Sequence, residues 1–174
     1  MKRYIKSAVV SYKDEDDNTK YTIARYTTRP DQLAELADSD SYIVRKEIAR
    51  NPNTPADTLR ELSHDSAGYY IVGKNPNAPV EVLWEYAKDT EDCDRWVSVV
   101  DNPNCPAEIL DYLIYEPYVQ FQVVGHPNVS PDTLKQLIAN PYRYNVFDNG
   151  EDEGNEVLDK AKQRLAQLGD SIPE

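Results

Sequence analysis

The reactive groups this chain has in quantity are carboxylates: 31 Asp and Glu stand against 19 Lys and Arg and two His, a formal net charge of -12. Two acidic clusters invite comparison with oxygen-rich cation loops. Asp148, Asp152 and Asp159 have the spacing of such a loop, but Glu153 stands where its tight turn needs glycine, and the twelfth position is Asp rather than a bidentate Glu. Asp14, Asp16 and Asn18 depart in the same way, with Thr19 at the glycine position and Arg25 at the glutamate position. Both read as solvated turns, and no bound metal is expected.

Nucleophiles and bases are scarce. His64 lies in a polar stretch, and His126 fills a slot that Asn occupies in related segments, which points to a turn or capping role. Cys93 lies in an acidic insert with Arg95 as its one basic neighbour, and Cys105 takes a turn position held by Thr54 elsewhere, so neither thiol is placed for strong activation. Gly-x-Ser-x-Gly, the phosphate loop and His-Glu-x-x-His are all absent from the sequence. The expectation is a non-enzymatic chain with no catalytic residue and no cofactor; a metal-dependent hydrolase built on the acidic loops ranks last.

Charge distribution says more than any one residue. From position 75 to position 134 there are 11 acids against Lys88 and Arg95, a net of -9, so three quarters of the net charge falls in about a third of the chain. An ordinary solvated face explains this. So does a surface that recruits a basic protein, with Glu81, Glu85, Asp89, Glu108, Asp111 and Glu116 as contacts and Tyr112 and Tyr115 as aromatic anchors. Trp84, Trp96 and Tyr118 lie near them in sequence, and Trp96 reads as a core filler because it stands where Tyr69 stands one unit earlier.

The elements that position these residues are repeats. Asn51-Pro52-Asn53-Thr54-Pro55 leads to Leu59, and edited copies begin at Asn75, Asn102 and His126, 24, 27 and 24 residues apart, each with its leucine (Leu83, Leu110, Leu134) eight residues on. A repeat of this period implies a solenoid. Aligning Leu33 with Leu59 adds a degenerate first unit from Arg25, giving five units over 25–148.

Within a unit, proline suits the first position of a helix, Thr54 and Ser130 can cap free amides, and Asp57, Glu81 and Glu108 complement the helix dipole. The helix then runs through Leu59 and Leu62, Leu83 and Tyr86, Leu110 and Leu113, or Leu134 and Leu137, giving one apolar face. A shorter second segment carries Ile48, Val72, Val99 or Val123 beside Ala49, Gly73, Val100 or Val124. It reads as a short α or 3₁₀ turn, although Val97-Ser98-Val99-Val100 allows a strand by propensity. Asn at its end tolerates a left-handed conformation, and the following Pro stops continuation.

The ends differ. Residues 1–24 read first as a β-hairpin, with Tyr4 to Tyr12 and Lys20-Tyr21-Thr22-Ile23-Ala24 as strands, and second as a helical cap over 3–12. Residues 149–174 read as an acidic turn followed by a capping helix, with Val157, Leu158, Ala161, Leu165 and Leu168 at helical spacing.

Proline-x-x-x-Leu-x-x-Leu followed by Val44-Arg45-Lys46-Glu47-Ile48-Ala49-Arg50-Asn51-Pro52 resembles the leucine-rich repeat variant family, over residues 25 to about 148. The resemblance implies an all-α, right-handed superhelix pairing an α-helix with a 3₁₀ helix in each unit. It does not bring the amino-terminal iron-sulfur centre of the founding type, because this sequence has no cysteine before Cys93.

A net charge of this sign opposes direct binding to nucleic acid or anionic lipid. Basic residues 2, 3 and 6 are not followed by the apolar run of a secretory signal, no window approaches a membrane span, and two unpaired cysteines suit a reducing compartment. The expected protein is cytoplasmic, of undetermined oligomeric state, and binds a basic protein partner. The alternative is an acidic nucleic-acid mimic that inhibits a DNA- or RNA-binding enzyme.

Overall fold

A computed structural model describes residues 11–140 and 153–170, and every regular element among them is an α-helix. In chain order these are α1 (Asp17–Tyr26), α2 (Pro30–Leu36), α3 (Tyr42–Arg50), α4 (Ala56–Leu62), α5 (Tyr69–Lys74), α6 (Val80–Lys88), α7 (Cys93–Val100), α8 (Ala107–Leu113), α9 (Gln120–Gly125), α10 (Pro131–Ala139) and α11 (Glu153–Gln167). Helices of six to ten residues are marginal in water by themselves, so packing must hold them.

Packing follows the repeat. The leucine-bearing helices α2, α4, α6, α8 and α10 alternate with a second set, α3, α5, α7 and α9. Within the second set, α1 lies on α3, α3 on α5 and α5 on α7; at the far end α11 lies on α9 and α10. Across the first set α6 packs on α8. The apolar columns read from the sequence form the core: Leu33, Leu59, Leu83, Leu110 and Leu134 are at most 1% exposed, and Ile48, Val72, Val99 and Val123 are fully buried. Ala161 and Leu165 of α11 are also fully buried.

Several local expectations are corrected. The hairpin strand at Lys20-Tyr21-Thr22-Ile23-Ala24 is helical instead. The Asp16 carboxylate accepts the Asn18 and Thr19 amides at 3.0 and 3.1 Å, Arg25 sits in the last turn, and Ala24 is buried in the core that α1 shares with α3, so capping and tertiary burial override β propensity. The alternative helix over 3–12 lies almost wholly outside the described residues, as does the turn at 149–152. Val97-Ser98-Val99-Val100 is helical within α7. Of the two readings of the second segment, short α or 3₁₀, the α reading holds, with helices of six to nine residues, and the 3₁₀ helix that the resemblance implies is replaced by them.

Proline begins α2 and α10, but Pro55, Pro79 and Pro106 stand one position earlier, as amino-terminal caps in extended conformation. There the proline carbonyl accepts the first intrahelical bond, as Pro55 does from the Leu59 amide at 3.0 Å. Ser130 does cap its helix, accepting the Thr133 amide at 3.0 Å. Thr54 does not: its hydroxyl donates to the Ile48 carbonyl at 2.6 Å, tying the turn to the end of α3.

The repeated asparagine is not left-handed either. Asn51 and Asn75 have extended backbones, with φ of -69° and -72°. Their amides point inward instead. Asn75 Nδ2 donates to the Ala49 carbonyl (2.8 Å) and the Asn51 carbonyl (2.9 Å), while its Oδ1 accepts the Asn77 amide (2.9 Å). Asn51 reaches Ala24 and Thr27 in the same way, and Asn102 reaches Gly73 and Asn75. His126 continues the series: Nδ1 accepts the Asn128 amide at 3.0 Å, so Nε2 carries the proton shared with the Asn102 carbonyl at 2.9 Å. The second asparagine adds a parallel row, with Asn77, Asn104 and Asn128 donating to the carbonyls of Pro52, Pro76 and Pro103. The Asn-Pro-Asn turn is thus a ladder of side-chain amides that sets the register of one unit on the next. In its first rung Thr27 takes the place that Asn51 and Asn75 hold in the next two, two residues after the start that leucine spacing assigns to the first unit.

Candidate functional site

The residues singled out for partner binding lie on the outer faces of α6 and α8 and the turns that follow them. Glu81 and Glu85 are one turn apart on α6, and Asp89 caps its carboxyl end. Glu108, Asp111 and Tyr112 share the exposed side of α8, and Tyr115 and Glu116 continue it into the next turn. The apolar spacing that buries Leu83, Tyr86, Leu110 and Leu113 puts these polar positions outside. Trp84 joins the two helices: its ring meets Tyr112 edge to face at 5.7 Å and 68°, and the Lys88 ammonium lies 5.1 Å from its centre.

The six carboxylates divide into two groups. Glu81 accepts from the Arg60 guanidinium (Nε at 3.0 Å), which holds its carboxyl below the usual range; Arg60 also pairs with Asp57. Asp89 pairs with Arg95 at 3.1 Å, and that guanidinium lies over the rings of Tyr86 (4.6 Å) and Tyr69 (5.0 Å). Asp111 accepts from the Thr133 hydroxyl. These three belong to the cohesion of the array as much as to its surface. Glu108 and Glu116 enter no ion pair among the described residues, and the Glu85 carboxylate lies 4.0 Å from the His64 ring. Tyr115 donates to Gln136 at 3.0 Å, linking the turn after α8 to α10.

Beneath this face Tyr86 is fully buried. Its one hydroxyl proton is shared between the Ser63 and Tyr69 carbonyls at 3.1 and 2.9 Å, and burial pushes its pKa up to about 12. Trp96 packs against the core, half-buried, as its alignment with Tyr69 suggested. Cys105 is buried and its thiol is pushed up to about 12 by desolvation; Cys93 is exposed. Asp16 is occupied as a helix cap, Asp148 and Asp152 lie outside the described residues, and no group of three His, Cys, Asp or Glu among the described residues is placed to hold a metal ion.

Sequence reasoning missed two sets of residues. Arg45 donates to the Ser39 and Asp40 carbonyls at 2.7 and 3.0 Å and pairs with Asp65 at 3.2 Å, and both side chains line a cavity of about 330 Å³ near the loop at 37–41. The other set lies on the opposite helix layer, where Tyr42, Lys46 and Arg50 form one stripe of α3 and Tyr70 and Lys74 continue it on α5. Spacing of i, i+4 and i+8 is the signal that would have found it.

Short helices stacked by a periodic side-chain ladder define a helical repeat protein. Residues 43–67, which span α3, the Asn51-Pro52-Asn53 turn and α4, match the family described as Leucine rich repeat variant. No curated protein and no solved structure matches the chain. Among the described residues no helix is long and apolar enough to cross a membrane.

Proposed function

We propose that this chain is a cytoplasmic, non-enzymatic interaction module: a solenoid wound to the right, as its repeat family implies, that binds a protein with a basic surface through the outer face of α6 and α8. The observation that carries the reading is the set of carboxylates that form no ion pair with lysine or arginine among the described residues, Glu85, Glu108 and Glu116, around the contact between half-buried Trp84 and exposed Tyr112. Carboxylates committed inside the fold cannot select a partner. Free ones at the rim of an aromatic pair supply steering charge and a desolvated anchor together.

The test is affinity capture from the native host, identification of the protein retained, and its titration against E85K/E108K/E116K. Binding is expected to fall by at least about tenfold, or 1.4 kcal/mol, with circular dichroism and the melting curve nearly unchanged. Undiminished affinity in the variant would overturn the reading. Competition with an oligonucleotide for the same protein then shows whether the partner surface otherwise holds nucleic acid.

A further inference from the structure

The acidic face needs a cationic counterpart, and this chain carries one. Helices α3 and α5 hold Arg45, Lys46, Arg50 and Lys74 against Glu47 alone, a local surplus of positive charge in a protein of net -12. Tyr42, Lys46 and Arg50 follow one another at single-turn spacing along α3, the Lys46 ammonium lies 5.8 Å from the Tyr42 ring centre, and Tyr70 with Lys74 extends the stripe onto α5, which packs against α3. Tyr42 and Tyr70 are 46% and 39% exposed.

Scaffold needs explain part of this. Arg50 and Lys74 stand in the last turns of their helices, where a cation offsets the dipole, and they pair with Glu47 (2.8 Å) and Asp101 (2.7 Å). The fold does not require a cation in that column, however, because Asp101 and Gly125 fill it in the third and fourth units. Nor does the dipole account for mid-helix Lys46 or for two outward tyrosines.

We infer that the occupant of the cationic stripe is the acidic face of a second copy of this chain, with Glu85 and Glu108 of one copy set against Lys46 and Arg50 of the next and tyrosines interleaved. This rests on the reading of the acidic face given above and names its partner. Since the two faces belong to opposite helix layers and to different units, the contact is heterologous: each association leaves one face of either kind free, so the assembly grows with concentration. Salt acts in two directions. At about 0.01 M the Debye length of about 30 Å lets the whole-molecule charges repel, near 0.15 M that repulsion is screened beyond about 8 Å, and at about 1 M the interfacial pairs are screened as well. Association therefore peaks at intermediate salt.

Sedimentation velocity of the full chain, from micromolar to several hundred micromolar at these three ionic strengths, tests the proposal. The weight-average mass is expected to rise at least about twofold near 0.15 M and less at either extreme. K46E/R50E and E85K/E108K are each expected to remain monomeric when alone. Mixed, they associate again, because each retains the face the other lacks and the two reversed faces are themselves opposite in sign. K46E/Y70S, which spares the Arg50–Glu47 pair, replaces K46E/R50E if the latter melts early. A wild-type chain that stays monomeric at all three salts overturns the proposal, as does an equimolar mixture that stays at monomer mass while wild type associates.

Poly-lysine titration separates this outcome from failure of the acidic face itself. Binding that weakens in E85K/E108K but not in D14K/E15K, a reversal of equal charge elsewhere, upholds the acidic face even if self-association is absent. Equal weakening in both variants removes that reading too.

Discussion

At the scale of single residues, the most consequential side chains are the buried amides of the Asn-Pro-Asn turns. Asn75 satisfies two carbonyls of the preceding unit and one amide of its own turn. Asn75→Ala leaves all three without that partner in a site only 3% exposed, and the expected cost is about 2 kcal/mol or more, read from urea denaturation. His126→Asn, by contrast, restores the group found in the other turns and is expected to change stability by less than about 0.5 kcal/mol. This role was not legible in the sequence. Asparagine before proline reads as local turn chemistry, and the partners that decide its conformation lie 24 to 29 residues away. Tyr86 offers a second test. Its folded-state pKa is pushed up to about 12 by burial, above the ordinary value of 10.0, so the stabilisation linked to its proton is complete below about pH 10 and is lost as pH rises toward 12. The stability of wild type is expected to fall more steeply over that interval than that of Tyr86→Phe, in urea midpoints measured at matched pH. Equal slopes would mean the phenol ionises as freely in the folded protein as outside it.

At the scale of elements, the apolar columns were legible because burial dictates them directly: a leucine at i and another apolar side chain at i+3 can face only one core. Leu59→Ala, Leu83→Ala and Leu110→Ala are each expected to cost about 2 to 5 kcal/mol by equilibrium unfolding, since all three side chains are at most 1% exposed. Losses of a few tenths would place the leucines outside the core. Less of the amino-terminal element could be read. Tyr21, Thr22 and Ile23 favour strand by type, but Asp16 starts a helix just before them and Ala24 fits the surface of α3, and those two effects are not visible in propensity. The second helix also packs more closely than its small-residue column suggested: a Cβ on Gly73 would fall 2.1 Å from the Ser98 hydroxyl, so α5 and α7 meet where one has no side chain at all. The acidic face was legible as a group, because α6 and α8 do carry its residues outward together. The commitment of Glu81, Asp89 and Asp111 to Arg60, Arg95 and Thr133 was not, since each pairing crosses between elements or spans a turn whose path the sequence does not print.

For the molecule as a whole, contacts that run mainly between neighbouring helices make stability close to a sum over units and their interfaces, so disturbance at one end need not reach the other. The charge is arranged along the same axis, with cations concentrated on α3 and α5 and carboxylates on α6 and α8, and this lengthwise separation is what an ungapped head-to-tail assembly would draw on. The ladder of turn amides has a further consequence, for how such a chain could lengthen. Each rung asks for nothing from its predecessor except two main-chain carbonyls, which every residue supplies whatever its side chain. A unit copied in tandem therefore arrives with its own attachment to the unit before it and offers the same attachment to the unit after. Inserting a second copy of residues 51–74 after Lys74 is expected to give a soluble chain with two more helices by circular dichroism and a urea midpoint no lower than the parent's; a collapse of helicity would show that the units are not interchangeable. Growth by duplication needs no compensating change elsewhere, and what selection then edits is the outward face of the new copy.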